Sequence, residues 1–385
     1  MHPLRVRTIT AGVELRGTQD FAAIERAVAR LERARATLRQ AGYEVQTMRV
    51  ATNPILGVEV AGTQDWPALE KLDAAMTAHG AILSVGPLLT SDGKDRDLAA
   101  FAADLVRRTR TISFSVAVSS PEQGVHRNAV RTAAEVIASL ARAGAGGQAN
   151  FRFAAAANIP AGTPFFPVAR HEGSDSLAVG LEAAGLVQSA FAGAQSFEDG
   201  EQRLRSAMDE VLREVERIVT PVAAREGVRY LGIDPSPAPS LDRSIGAAIE
   251  ALTGQPFGHP STLQACAAIT AVLKTLTVRT CGYAGLMLPV LEDPVLAVRA
   301  KERRYGAQEL LLYSSVCGTG LDLVPLPGDT SVDELARIVG DVATLAVRLR
   351  KPLSARLYPV PGKKAGEVVS FSDPLLTESM VFETG

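Results

Sequence analysis

The sequence predicts an α/β fold: a barrel-like sheet of roughly ten strands surrounded by helices. Three observations lead there. Short β-rich runs alternate with longer amphipathic stretches along the chain of 385 residues, the pattern of strands joined by helical crossovers. Such runs are too many for a simple flavodoxin-like sheet, so a large barrel or a long open sheet fits better. No linker divides the chain, so residues 1–385 read as a single α/β barrel-like domain. Sites in such folds gather beyond the strand ends.

In chain order, the strand candidates are 6–13, 43–50, 56–60, 81–85, 111–118, 150–155, 229–233, 285–290, 309–313, 321–325 and 355–359. Over 20–40, Phe21, Ile24, Val28, Leu31 and Leu38 recur near the helical period. Residues 197–220 form the longest helix candidate, with Pro221 expected to end it. Ser261 with Gln264, and Ser331 with Glu334, read as capping boxes that open helices. The prolines of 234–240 favour extended backbone ahead of a helix at Leu241.

The composition is 46% apolar with a net charge of −2, enough for one large core and no electrostatic argument for nucleic acid or an anionic membrane. Cys266, Cys281 and Cys317 are far apart and odd in number, so a disulfide framework is not expected. With no apolar signal core near Met1 and no uninterrupted apolar span, the expectation is a cytoplasmic protein off the membrane.

The densest candidate for chemistry is 314–330. Cys317 follows an apolar run and precedes Gly318-Thr319-Gly320, small residues that let a substrate or a backbone come close to the sulfur. The alternative is a buried structural thiol. Asp322 lies between Leu321 and Leu323, where a carboxylate must face a cavity or a partner. Asp329 and Thr330 sit between a strand and a capped helix, positions suited to a metal ligand and a substrate contact, or to local capping. Glu292 is equally a candidate general base or hard-metal ligand at a strand end and a contributor to helix capping, whereas Asp293 before Pro294 favours capping. The proline-rich loop 159–171 brings Phe165 and Phe166 as a pocket wall and Arg170 and His171 at its end, or else is a structural plug. Glu182 reads as a surface acid on a helix, and His259 as an acid/base or a turn histidine. Dinucleotide, P-loop, zinc-protease and serine-hydrolase motifs are missing, so NAD has no local support.

Seven blocks in order resemble the uncharacterised domain-of-unknown-function family numbered 711, also called uncharacterised protein family 0210. They are 6–13, Pro164-Phe165-Phe166-Pro167, 232–239, 289–293, Val316-Cys317-Gly318-Thr319-Gly320-Leu321-Asp322, Pro327-Gly328-Asp329-Thr330 and 359–363. The resemblance implies a fold similar to the pyruvate formate-lyase-like glycyl radical barrel, with Cys317 as counterpart of the radical-relaying cysteine. The glycyl radical motif itself is missing from the C-terminal tail, so no glycyl radical is expected.

The favoured expectation is an enzyme acting on a small polar metabolite. Cys317 would be nucleophile or acid/base, Glu292, Asp322 and Asp329 acid/base groups or ligands of a divalent cation, and His171 and His259 would orient or protonate substrate. The rivals are a non-catalytic small-molecule-binding protein and an assembly protein, the latter with a large apolar surface for a homo-oligomer.

Overall fold

A computed structural model describes residues 4–56 and 65–384. Arg5–Val13 (β1) leads through Phe21–Gln40 (α1) into Val45–Thr52 (β2), and Trp66–Ala78 (α2) into Ala81–Leu89 (β3). Leu98–Arg108 (α3) precedes Ile112–Ser120 (β4), which turns into the short Gly124–Val125 (β5). Arg127–Ala141 (α4) is followed by Phe153–Ala157 (β6) and Ser176–Glu182 (β7). Ala184–Phe191 (α5) and Phe197–Arg225 (α6) lead to Arg229–Asp234 (β8). Ile245–Thr253 (α7), Thr262–Leu273 (α8), Pro294–Lys301 (α9) and Ala307–Tyr313 (α10) come before Gly320–Pro327 (β9). Val332–Leu349 (α11) crosses to Leu353–Val360 (β10), and Val368–Val369 (β11) pairs with Ser379–Met380 (β12).

The main sheet runs β8-β7-β1-β2-β3-β4-β6-β10-β9, with β5 on β4, ten strands in all. Neighbours are parallel except β1 with β7 and β6 with β10 (and the short β5 on β4). The expected barrel is not closed. Segment 279–290 runs between the end strands β8 and β9 and touches each through a single bridge, Ile233 with Thr280 and Pro289 with Asp322. Pro289 has no amide N–H to donate, so a full ladder cannot form there.

Each strand sends one set of side chains outward, under the helices. Ile9, Ala11 and Val13 of β1, Met48 and Val50 of β2, and Leu353, Ala355 and Leu357 of β10 belong to the large apolar core. At about 25 cal/mol per Å² this outer layer is the main stabilising term. The other set faces the concave side and is more polar: Thr8, Thr10, Arg49, Ser354 and Arg356 are all buried there.

Several sequence expectations change. Residues 309–313 are helix α10, not strand, because Leu310 and Tyr313 are buried three residues apart while Leu312 is 55% exposed. A short apolar run does not distinguish the two on its own. Residues 285–290 carry no ladder, for the reason given above. Ser176–Glu182, whose Glu182 was expected on a helix, is a buried strand. Helix α6 continues through Pro221 because Val219, Val222 and Ala223 remain buried, and that packing outweighs one lost hydrogen bond. Ser331 with Glu334 forms the expected capping box. Ser261 does not: its backbone is left-handed, φ 81°, and its hydroxyl makes no cap bond. The helix expected at Leu241 begins at Ile245. The strand expected at 56–60 lies mostly outside the described residues. Among the described residues no helix is long and apolar enough to cross a membrane.

Candidate functional site

Loop 158–171 enters the concave side of the sheet and is both plug and wall. The Pro164 carbonyl accepts from Thr10 Oγ1 at 3.0 Å and from Arg49 Nη1 at 3.3 Å. Glycines make room for it. A Cβ on Gly12 would lie 2.2 Å from His171 Nδ1, and one on Gly180 would lie 3.0 Å from the Phe165 ring. The loop has a cavity on either side. Phe165 and Phe166 wall one of about 570 Å³. Ile159, Pro160, Val168 and Arg170 wall another of about 540 Å³.

The larger cavity holds two largely buried ion pairs. Arg7 Nη2 donates to Glu292 Oε2 at 3.0 Å, and Arg356 Nη1 donates to Asp322 Oδ1 at 2.8 Å. Arg49 lines the same cavity, 5% exposed. Tyr283 donates to Ser354 Oγ at 3.0 Å on the wall. Arg39, Glu44 and Leu375, all exposed, rim the opening.

Two irregularities in strand pairing aim these charges. Against β7, β1 pairs Val6 with Leu181 and then Thr8 with Gly180, so Arg7 is an extra residue on the β1 side. Such a bulge lets Arg7 and Thr8 face the same way, which strict alternation forbids. Against β10, β9 pairs Leu321 with Ala355 and then Val324 with Leu357, so Asp322 and Leu323 together face Arg356. Leu323 takes φ 49° there, a left-handed conformation costing on the order of 1–2 kcal/mol for a residue with a Cβ. Bulges beside sites re-aim side chains, and here each lies at an ion pair of the cavity.

Burial sets the electrostatics. It raises the Glu292 carboxyl above the ordinary range, with Arg7 and Arg356 pulling the other way. It pushes the Arg49 guanidinium down to about 9, helped by the charge of Arg7. A carboxyl raised by burial beside a cation is suited to giving and taking a proton. Behind this wall, Glu182 is fully buried rather than a surface acid, accepting from Arg5 Nη1 at 3.0 Å, from Ser240 Oγ at 3.1 Å and from Gln46.

Of the residues expected from the sequence, Glu292, Asp322, Phe165 and Phe166 meet in this cavity. The others do not. Cys317 is 1% exposed in the outer apolar core. Its glycine neighbour serves backbone packing: a Cβ on Gly318 would lie 2.1 Å from the Gly285 Cα. His171 is buried in the loop, where Nε2–H donates to the Gly173 carbonyl at 2.7 Å and Nδ1 accepts from Ser176 at 3.2 Å. His259 packs against Arg304 at 3.1 Å and lines neither cavity. Arg170 pairs with Glu172 and lines the smaller cavity. Thr330 closes a turn onto the Pro327 carbonyl at 2.7 Å, and Asp329 is exposed beside it. Asp322 and Asp329, expected as metal ligands, therefore do not converge. Among the described residues no three of His, Cys, Asp and Glu are grouped to hold a metal ion.

Asp293 caps as expected, twice over. It accepts from Val295 and Leu296 at the start of α9 and from Ile245 and Gly246 at the start of α7. Asp234, pushed up to about 6 by burial, accepts from Ser236, Tyr283 and Ala284 and ties 234–240 to the wall segment. In the smaller cavity the hydroxyls of Ser119 and Ser120 are engaged by Asn158 and His126.

Sequence reading missed Arg7, Arg49 and Arg356. The signal was available: each is a charge inside a strand-like apolar run, the argument applied only to Asp322.

Together the fold and site define an α/β protein whose curved sheet holds an arginine-lined cavity of metabolite size. The chain belongs to the family described as Uncharacterised ACR (DUF711), whose model matches residues 1–372. A UPF0210 protein of Pyrobaculum islandicum is 32% identical over 367 residues, covering 90% of this chain and 78% of the relative. One from Acetivibrio thermocellus is 29% identical over 398 residues, covering 96% and 88%. A relative named UPF0210 protein PAE3581, from Pyrobaculum aerophilum, is 33% identical over 287 residues, covering 71% of this chain and 62% of its own length.

Proposed function

We propose that the protein is an enzyme acting on a small polar metabolite bound in the arginine-lined cavity, with Glu292 exchanging a proton with the substrate. The observation that carries this reading is Glu292 itself: buried, raised by that burial, and paired with Arg7 at 3.0 Å in a cavity of about 570 Å³. A carboxyl tuned in that direction is a better acid/base near neutral pH than an ordinary one. Asp322 holds Arg356 in place, and Phe165 and Phe166 supply the apolar wall. In this reading Cys317 supports the packing and needs no reactive thiol. The likeness to the ten-stranded glycyl radical barrel remains part of the proposal at the level of fold, with no radical step.

A second reading is a binding protein, favoured by the fact that Glu292 and Asp322 both already have an arginine partner. Turnover separates the two. A thermal-stability panel of polar metabolites identifies a ligand, since binding to the native state raises stability by RT ln(1 + [L]/Kd). The enzyme reading expects that ligand to be converted by the wild type and not by Glu292→Gln. Return of the ligand unchanged by the wild type would leave the binder.

A further inference from the structure

Arg49 is a buried guanidinium without a carboxylate partner among the described residues. Its protein contacts are one long bond to the Pro164 carbonyl at 3.3 Å and the face of Phe166, with the ring centroid 5.6 Å from Cζ. Its Nε has no hydrogen-bond partner among the described residues. Over the same ring, Arg356 Cζ lies 5.8 Å from the centroid, and its Nε also has no hydrogen-bond partner among the described residues. Among the described residues Arg7 pairs with Glu292 and, at 3.6 Å, with Glu182, and Arg356 pairs with Asp322, whereas no carboxylate lies within ion-pair distance of Arg49. A buried charge in that condition is costly, and the cost rises with like charges nearby. Burial and the charges of Arg7 and Arg356 push the Arg49 guanidinium toward neutrality, with Glu292 pulling the other way from beyond ion-pair distance.

Resting on the enzyme reading above, we infer that the substrate carries an oxyanion group, a carboxylate or a phosphate, and that Arg49 anchors it. A guanidinium offers a planar fork of donors to two oxygens of such a group, and the charge-assisted bonds are strong away from bulk water. The anion supplies the direct counter-charge that Glu292, held by Arg7, gives only from a distance. The Phe166 face keeps the fork in place, and Glu292, in the same cavity, meets the rest of the molecule. Arg49 is thus a binding residue, set apart from the proton-exchanging Glu292.

The test uses the full chain and follows thermal stability and calorimetric affinity at constant ionic strength. The probes are inorganic phosphate, glycerol phosphate, glycolate and malonate, with chloride as the control. The expected result is saturable stabilisation by the phosphates or by the carboxylates, and the responding arm names the group. Arg49→Met is expected to weaken the responding anion by ~10–100-fold, the range for hydrogen bonds to a charged group. It is also expected to raise the stability of the ligand-free protein, because it removes a buried charge that has no ion-pair partner among the described residues. Arg49→Lys keeps the charge without the fork and is expected to fall between. A purely structural arginine would give the reverse: a less stable or unfolded Arg49→Met protein. That result overturns the inference. So does an Arg49→Met protein that binds the anions as the wild type does, or a wild type that responds to none of them beyond chloride. Glu292→Gln is expected to retain anion binding. Retained binding in a wild type that converts no anionic metabolite would sink the enzyme reading and leave the anion site standing.

Discussion

Breaking the Arg356–Asp322 pair is the most demanding test of the cavity wall. Arg356 Nη1 lies 2.8 Å from Asp322 Oδ1, and the side chains are 8% and 11% exposed. The same guanidinium donates through Nη2 to the Phe151 carbonyl at 3.1 Å. Arg356→Met therefore leaves a buried carboxylate unpaired and a carbonyl unmet. Removing one partner of a buried pair costs about 3–5 kcal/mol, against less than about 1 kcal/mol for an exposed one. The pair as a whole contributes far less, since both charges were taken out of water to make it. Replacing both, as Arg356→Met with Asp322→Leu, is expected to recover most of the loss. Urea denaturation followed by circular dichroism measures the wild type, both single variants and the double variant at equal slopes. A coupling energy of at least ~2 kcal/mol is expected for neighbours of this kind. A single-variant loss below about 1 kcal/mol would refute the reasoning, as would a double variant as unstable as the two losses added. Either result would mean that water reaches the pair.

The other predictions are simpler. Gly318→Ala drives a Cβ into Gly285, where the Cα lies 2.1 Å away, and is expected to cost about 1–3 kcal/mol in urea denaturation, the range for overpacking. Cys317→Ala is expected to leave anion affinity unchanged, and burial of Cys266 and Cys317 should keep both from reacting with a thiol reagent until the chain unfolds; fast native-state labelling of Cys317 would contradict its placement. Asp293→Ala removes the cap of α9 and the carboxylate that meets the Ile245 and Gly246 N–H groups of α7, where Ser244 remains the N-cap, and is expected to cost ~1–4 kcal/mol. For pH, the folded chain holds protons on Glu292 above 4.5, and on Asp234 from 3.8 up to about 6, where the unfolded chain has lost them. Stability from these groups is present below those windows and falls as pH rises through them. Glu292→Gln is expected to flatten its share of that slope, and an unchanged slope would place Glu292 in water.

Much of the framework was legible in the local pattern. The outward faces of β1, β2, β4 and β10, the periodicity of α1, and the Ser331 box with Glu334 all follow from short-range rules. So does Asp293 before Pro294. Local rules failed where packing overrode them. Pro221 sits inside α6 because the burial around it outweighs one bond. Residues 309–313 have the composition of a strand but bury only every third side chain. Residues 285–290 look like a strand, yet Pro289 and the close approach to Gly318 keep them out of a ladder.

The same division holds for the site. By itself the sequence determined that mid-strand Asp322, strand-end Glu292 and the stiff aromatic loop were unusual, because a charge in an apolar run or a proline-locked loop is costly wherever it lies. It also carried the family. Which of these residues meet was decided only by tertiary structure. The bulges at Arg7 and at Asp322-Leu323 turn side chains to the concave face, and a bulge depends on the partner strand's register, which lies far away in sequence. Cys317 had the most suggestive local setting but was drawn into the outer core. Its glycines serve a backbone crossing that only the folded chain creates. Arg49, an arginine between Met48 and Val50, acquires its significance from what the described residues leave out: a carboxylate at ion-pair distance.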